Sequence, residues 1–166
     1  MPKIRIGMRI WKTVIAVFLC AVMGMIFDIH PFYSMIAAVL CMQATTSESI
    51  KKGIVRCVGT FIGGAAAVLI LLVIDYTPLV PFSLFYYVLI SFCIAPVIYL
   101  TVLINRESSA FIACVVFLSI VLSHLEVENH YLFAVSRMLE TIAGILTAVI
   151  VNRTIKSPDR NKENNE

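Results

Sequence analysis

The sequence predicts an all-α polytopic membrane protein, with six transmembrane helices arranged as an inverted repeat of two three-helix units. Three observations lead there: an apolar excess too large for a soluble chain, six hydrophobic runs parted by short polar turns, and one polar motif that occurs twice in the same register. Of 166 residues, 60% are hydrophobic and only 14% charged, with a mean hydropathy of +0.95. Soluble domains run near ~45–50% apolar and about 25% charged. A chain this short keeps too much of its surface exposed to hide the surplus. Lipid is therefore the solvent for most of it.

The net charge of +3 makes no case for a nucleic-acid partner, and positive charge reads as topology instead. Cys20, Cys41, Cys57, Cys93 and Cys114 all lie within apolar runs without CxxC spacing. They suggest neither a zinc site nor a disulfide framework, and behave as small hydrophobes.

Taken in order, the N-terminal MPKIRIGMRIWK is basic and an apolar run follows, as in a secretory signal. No A-x-A-like cleavage site comes after it, so it reads as a retained first helix, about Ile10 to Phe27. Asp28–Pro31 breaks that helix, and Pro31 suits the first position of the second, about Pro31 to Gln43. A polar loop, TTSESIKK, precedes the third helix. Thr45 and Glu48 stand at capping-box spacing there, and the helix continues to about Ile74. Asp75–Pro78 is the next turn. The fourth helix covers about Leu79 to Ile104, with a kink expected at Pro96. Asn105–Ser109 is a tight polar loop before the short fifth helix, about Ala110 to Ser123. His124–His130 is an acidic loop, the sixth helix runs from about Tyr131 to Val151, and the charged tail cannot form a core. The domain plan is a six-helix membrane domain over 1–155, with repeat units of about 8–76 and 78–155, and a disordered cytoplasmic tail over 156–166.

Six spans put both termini on one side, and the Lys/Arg bias assigns that side to the cytoplasm. Lys3, Arg5, Arg9, Lys12, Lys51, Lys52, Arg56, Arg106, Arg153, Lys156, Arg160 and Lys162 fall on it, while Arg137 falls toward the other. Asp28, Asp75, Glu126 and Glu128 mark the opposite face. The three histidines, His30, His124 and His130, sit on that outer side too, and no metal is expected.

The repeat is carried by the third and sixth helices. One reads Arg56-Cys-Val-Gly-Thr60-Phe-Ile-Gly63 and the other Arg137-Met-Leu-Glu-Thr141-Ile-Ala-Gly144. Ser34–Leu40 and Ala110–Val116 give a fainter match between helices two and five. An odd number of helices per unit inverts the second copy, the plan of many secondary transporters, in which short spans at matching places flank the substrate.

Residues at i, i+4 and i+7 share a helix face, so Arg, Thr and Gly form a stripe on each of the two helices. At about 1.5 Å rise per residue, each arginine lies roughly 6–9 Å inside its own mouth of the bilayer, with the hydroxyls deeper. Arg56, Thr60, Arg137 and Thr141 are the candidate substrate contacts, because a guanidinium pairs bidentately with a carboxylate. Glu140, the most deeply embedded acid, is the candidate for proton coupling. Gly59 and Gly63 form a GxxxG with Gly64 beside it, and with Gly144 they are candidate packing positions, facing helix six or another subunit. Each reading has a plainer alternative. Arg56 can snorkel to the interface, Arg137 can pair with Glu140, and both threonines can bond their own helix backbone. The residues alone leave these open.

At His30–Gly64, HPFYSMIAAVLCMQATTSESIKKGIVRCVGTFIGG, and at Ala134–Asn152, AVSRMLETIAGILTAVIVN, the chain resembles the aromatic acid exporter family of the fusaric-acid-resistance-like (FUSC) superfamily. Its marks are a Pro-aromatic start, a small-residue helix, a Gln-x-Thr turn and Arg-x-x-Gly-Thr-x-x-Gly, with a looser second copy; together they span most of 8–155. The resemblance implies a six-helix module of bacterial inner-membrane proteins that export aromatic carboxylic acids. Plant malate-type anion channels look similar and work as dimers lined by basic residues of the third and sixth helices, which maps onto Arg56 and Arg137. Many relatives carry a cytoplasmic domain or a second membrane half, whereas only a short tail follows here. A homodimer or higher homo-oligomer is the expectation that results.

The functional expectation is a secondary efflux permease in the plasma membrane for aromatic or other organic carboxylate anions. The alternatives are an anion channel, or a non-transporting membrane subunit that assembles with a separate protein. An enzyme is not expected: HExxH, Walker A, metal-type Asp pairs and a Ser-His-Asp set are all missing from the sequence. No cofactor is expected; the partners are an organic anion and membrane lipid.

Overall fold

A computed structural model of the chain describes residues 8–76, 83–123 and 129–155. Among them are six α-helices: α1 (Met8–Phe27), α2 (Phe32–Cys41), α3 (Thr46–Tyr76), α4 (Leu84–Leu103), α5 (Ala110–Ser123) and α6 (His130–Thr154), with a 3₁₀ turn at Glu107–Ser109 before α5. The described residues contain no strand. The expected helix order holds, and α5 has the bounds read from the sequence. Most of the His124–His130 loop, part of the Asp75–Pro78 turn, the tail from 156, and the cations Lys3, Arg5, Lys156, Arg160 and Lys162 lie outside the described residues.

Four helices, α1, α3, α4 and α6, are long and apolar enough to cross a bilayer. The helices α2 and α5 have 10 and 14 residues, about 15 and 21 Å at the helical rise, short of a hydrocarbon core of about 30 Å. They are short where the sequence makes them short. Large apolar side chains look outward on every spanning helix, among them Phe18, Leu69, Phe92 and Leu132. In water this would be a costly surface; in lipid it is the solvated one.

The helix ends follow local chemistry. α1 stops where Asp28 adopts a left-handed conformation (φ 52°) and Ile29 N–H reaches back to the Gly24 carbonyl at 2.9 Å. α4 stops the same way, with Asn105 at φ 54° and Arg106 N–H on the Thr101 carbonyl at 2.8 Å. Both are six-to-one caps of the Schellman kind, using the residues other than glycine that tolerate this conformation best. Pro31 sits at the N-cap of α2 rather than inside it. At the start of α3 the Glu48 N–H donates to Thr45 Oγ1 at 3.3 Å, one half of the expected capping box. α4 begins at Leu84, later than Leu79, because Ser83 caps it by accepting from the Tyr86 N–H. The helix then runs on through Pro96.

The chain divides into two compact units, Met1–Gly53 with Ile142–Glu166, and Ile54–Thr141. The first holds α1, α2, the start of α3 and the end of α6. Its buried face is built from small groups, Ala16 and Cys20 on α1, Ala37 and Ala38 on α2, and Ala148 on α6. These let helices approach closely where the hydrophobic effect cannot drive association. The second unit holds the rest of α3 and α6 with α4 and α5. Its core gathers Leu71, Ile90, Phe117, Ile120 and Val121 around Tyr86, whose hydroxyl donates to the Val121 carbonyl at 3.1 Å. Burying a tyrosine requires such a partner for its polar end.

Candidate functional site

The second unit contains Arg56, Thr60, Arg137, Glu140 and Thr141, together with Gly59, Gly63 and Gly64; Gly144 belongs to the first. Arg137 is 5% exposed, on a helix apolar enough to span. Arg56 and Glu140 are half-buried. Nε of Arg56, Nε and Nη1 of Arg137 and Oε2 of Glu140 are withdrawn from solvent. Withdrawing an ion costs at least a few kcal/mol by the mildest membrane scale, and ionisable groups held at such depth pair with one another or mark a pathway.

The two threonines differ. Thr141 Oγ1 donates to the Arg137 carbonyl one turn back, at 2.9 Å, the plain backbone role that the sequence left open. Thr60 is equally buried at 2% exposure, yet its Oγ1 makes no hydrogen bond among the described residues. The hydroxyl of Ser109, fully buried at the 3₁₀ turn, is in the same condition.

The glycines show which neighbours come close. A methyl group at Gly59 would stand 2.8 Å from both the Ser109 carbonyl and Ile112. At Gly63 it would overlap the Ala113 carbonyl. Within the second unit the GxxxG of α3 meets α5 and the 3₁₀ turn before it, where Ser109, Ile112 and Ala113 come close. Gly64 alone of the three turns to α6, against the end of the Met138 side chain. In the first unit, Gly144 of α6 closes on the Ser34 carbonyl and Ala37 of α2.

The first unit holds a polar cluster that sequence reasoning missed. Lys12 is only 2% exposed, and its Nζ donates to Asn152 Oδ1 at 2.9 Å. Asn152 Nδ2 donates to Ser49 Oγ at 2.8 Å and to the Gln43 carbonyl at 3.0 Å. Ser49 Oγ also accepts from the Gln43 N–H at 3.0 Å. One turn before Lys12, Arg9 Nε donates to the Met42 carbonyl at 3.1 Å. The network ties α1 and the end of α6 to the α2–α3 turn. A signal was present in the sequence: Lys12 falls at four-residue steps with Ala16, Cys20 and Gly24, the buried stripe of α1.

A multi-helix membrane bundle with embedded cations and small-residue helix contacts is the frame of a polytopic membrane protein with a polar interior. The chain belongs to the aromatic acid exporter family: residues 4–155 match the model described as aromatic acid exporter family member 1. Among curated proteins it is 27% identical to a UPF0421 protein of Halalkalibacterium halodurans, over 92% of this chain and 40% of that one. It is 29% identical to a UPF0421 protein of Oceanobacillus iheyensis, over 95% of this chain and 42% of that one. A UPF0421 protein of Staphylococcus aureus is 44% identical over 64 residues, 39% of this chain and 20% of that one. The chain thus spans about two fifths of the length of the first two relatives. No solved structure matches it.

Proposed function

We propose that this chain is the membrane module of a secondary efflux permease for organic carboxylate anions, aromatic ones foremost, guided by Arg56 and Arg137. The observation that carries the reading is Arg137, a guanidinium 5% exposed on a spanning helix. A cation held there is recovered as function if a carboxylate passes it, since the two groups match in shape and charge. Membership of an exporter-type family points the same way. Thr60 adds a buried hydroxyl one turn from Arg56 that makes no hydrogen bond among the described residues, and Glu140 is the candidate acid for coupling a proton.

The inverted repeat, with six helices crossing the membrane and both termini cytoplasmic, belongs to the same proposal. Two correspondences support it. The helices α1 and α4 end in the same left-handed cap, at Asp28 and Asn105. Gly63 of α3 closes on Ala113 of α5, and Gly144 of α6 closes on Ala37 of α2. Exchanging the halves exchanges the helix pairs, α3 on α5 for α6 on α2, while the carbonyls met, of Ala113 and of Ser34, stand three positions apart in the register of the repeat.

The test is flux of a benzoate-type anion into liposomes carrying the purified protein. Concentrative or counterflow uptake supports the permease, and an uncoupled steady current in planar bilayers would reassign it as a channel. Flux unchanged in both Arg56→Ala and Arg137→Ala would remove the mechanism.

A further inference from the structure

The seam between α1 and α2 carries a groove lined by Val17, Phe32, Met35, Ile36, Val39 and Leu40, about 370 Å³ in volume and without a polar group on its wall. On α2 these residues recur at steps of three and four, so the groove follows that helix for about 12 Å. One end, at Val39 and Leu40, lies two to three residues before Met42. There the Arg9 Nε bonds the Met42 carbonyl, and Arg9, Thr13 and Val17 stand on one face of α1. The Arg9 side chain is exposed, and its Nη1 and Nη2 make no hydrogen bond among the described residues. Other exposed cations belong to the same unit: Lys51 and Lys52 on the opening turns of α3 and Arg153 on the last turn of α6. The Lys12–Asn152–Ser49 network draws those helix ends to the α2–α3 turn.

We propose that this seam is a binding site for one anionic phospholipid. An acyl chain enters at Leu40 and lies along α2, and the phosphate is held by the two terminal nitrogens of Arg9, with the surrounding cations favouring negative headgroups. The chemistry fits on both counts. The groove accepts only hydrocarbon, and the fork of a guanidinium presents parallel donors to phosphate oxygens. A zwitterionic lipid fills the groove equally well but lacks the net charge that the basic end selects. This assignment does not depend on the chain being a permease.

Native mass spectrometry of the detergent-purified protein, titrated with dioleoyl phosphatidylglycerol or dioleoyl phosphatidylcholine, tests it. The unmodified protein should retain one phosphatidylglycerol in preference to phosphatidylcholine. Arg9→Gln should cut that preference about five-fold, the effect of one interfacial cation. Because it also removes the bond to the Met42 carbonyl, Arg9→Lys, which keeps the charge without Nε, should retain most of the preference. Ile36→Trp, which fills the groove, should reduce retention of both lipids. Equal retention of the two lipids by the unmodified protein would overturn the proposal, as would an unchanged preference in Arg9→Gln. So would ready disulfide formation between two copies of a Val39→Cys protein in a background without the native cysteines, because the groove would then be an interface between chains.

Discussion

The ammonium of Lys12 lies 2.9 Å from Oδ1 of Asn152, 140 positions later in the chain, and both residues are at least nine-tenths buried. The bond closes the ends of the sequence onto each other within one compact unit. It does so with a charge-assisted hydrogen bond, the stronger kind at low dielectric. Asn152 passes the constraint on through Ser49 and the Gln43 carbonyl. A single amide side chain therefore organises the start of α3 and the turn before it.

Removing that amide has a calculable consequence. Asn152→Leu leaves the Lys12 ammonium without this acceptor and strips Ser49 of a donor. A lost bond to a charged group costs about 1.5–3 kcal/mol. Lys12→Met should cost a similar amount, and the double variant less than the sum, because neither change leaves the other's partner stranded. Unfolding in mixed micelles by increasing denaturing detergent measures all three. Additive losses would mean that the two side chains do not stabilise each other.

The glycine positions separate rigid from yielding neighbours. At Gly63 and Gly144 an added methyl meets a backbone carbonyl, of Ala113 and Ser34 respectively. At Gly64 it meets the terminal methyl of Met138, which can turn aside. Overpacking against backbone costs about 1–3 kcal/mol. Gly63→Ala and Gly144→Ala should each lose stability in that range, while Gly64→Ala should lose clearly less. The ordering of the three melting temperatures in one detergent is the measurement, and Gly64→Ala falling lowest would contradict it.

These two cases show what the sequence could and could not disclose. Helix positions were legible because lipid demands apolar runs of fixed length, and a cap such as Thr45–Glu48 has a short-range signature. The start of α4 was not: hydropathy alone placed it at Leu79, while the hydroxyl of Ser83 sets it at Leu84. Arg137 was legible because a charge within an apolar run stands out. Lys12 was hidden by its company, since a lysine among Lys3, Arg5 and Arg9 reads as one more interfacial charge, and only its step of four to Ala16 marks it as inward. The pairing of Gly59 and Gly63 with α5 was beyond reach. A small-residue stripe says that something approaches closely, and long-range packing decides what.

Thr60 allows stability and function to be separated. Its hydroxyl is buried without a hydrogen bond among the described residues, so replacing it by a methyl relieves a desolvated group and should leave stability unchanged or slightly improved. Thr141→Val removes the bond to the Arg137 carbonyl and should cost about 0.5–1.5 kcal/mol. If Thr60 contacts the anion, Thr60→Val will lose carboxylate flux while melting at or above the unmodified protein. Full flux in a stable Thr60→Val variant would confine the site to the arginines.

Arg137 is the sharpest test of the transport reading. On that reading Arg137→Ala removes a charge-assisted contact to the passing carboxylate, worth about 1.5–3 kcal/mol, so flux should fall about ten-fold to a hundred-fold. Arg137→Lys keeps the charge but not the bidentate fork, and should recover part of the rate. It should also discriminate less between a planar carboxylate such as benzoate and a spherical anion such as chloride. A purely structural arginine would affect both anions alike, and its lysine variant would track stability instead of anion shape. The ratio of benzoate to chloride flux in Arg137→Lys, taken beside its melting temperature, distinguishes a guanidinium that meets the substrate from one that only holds α6 in place.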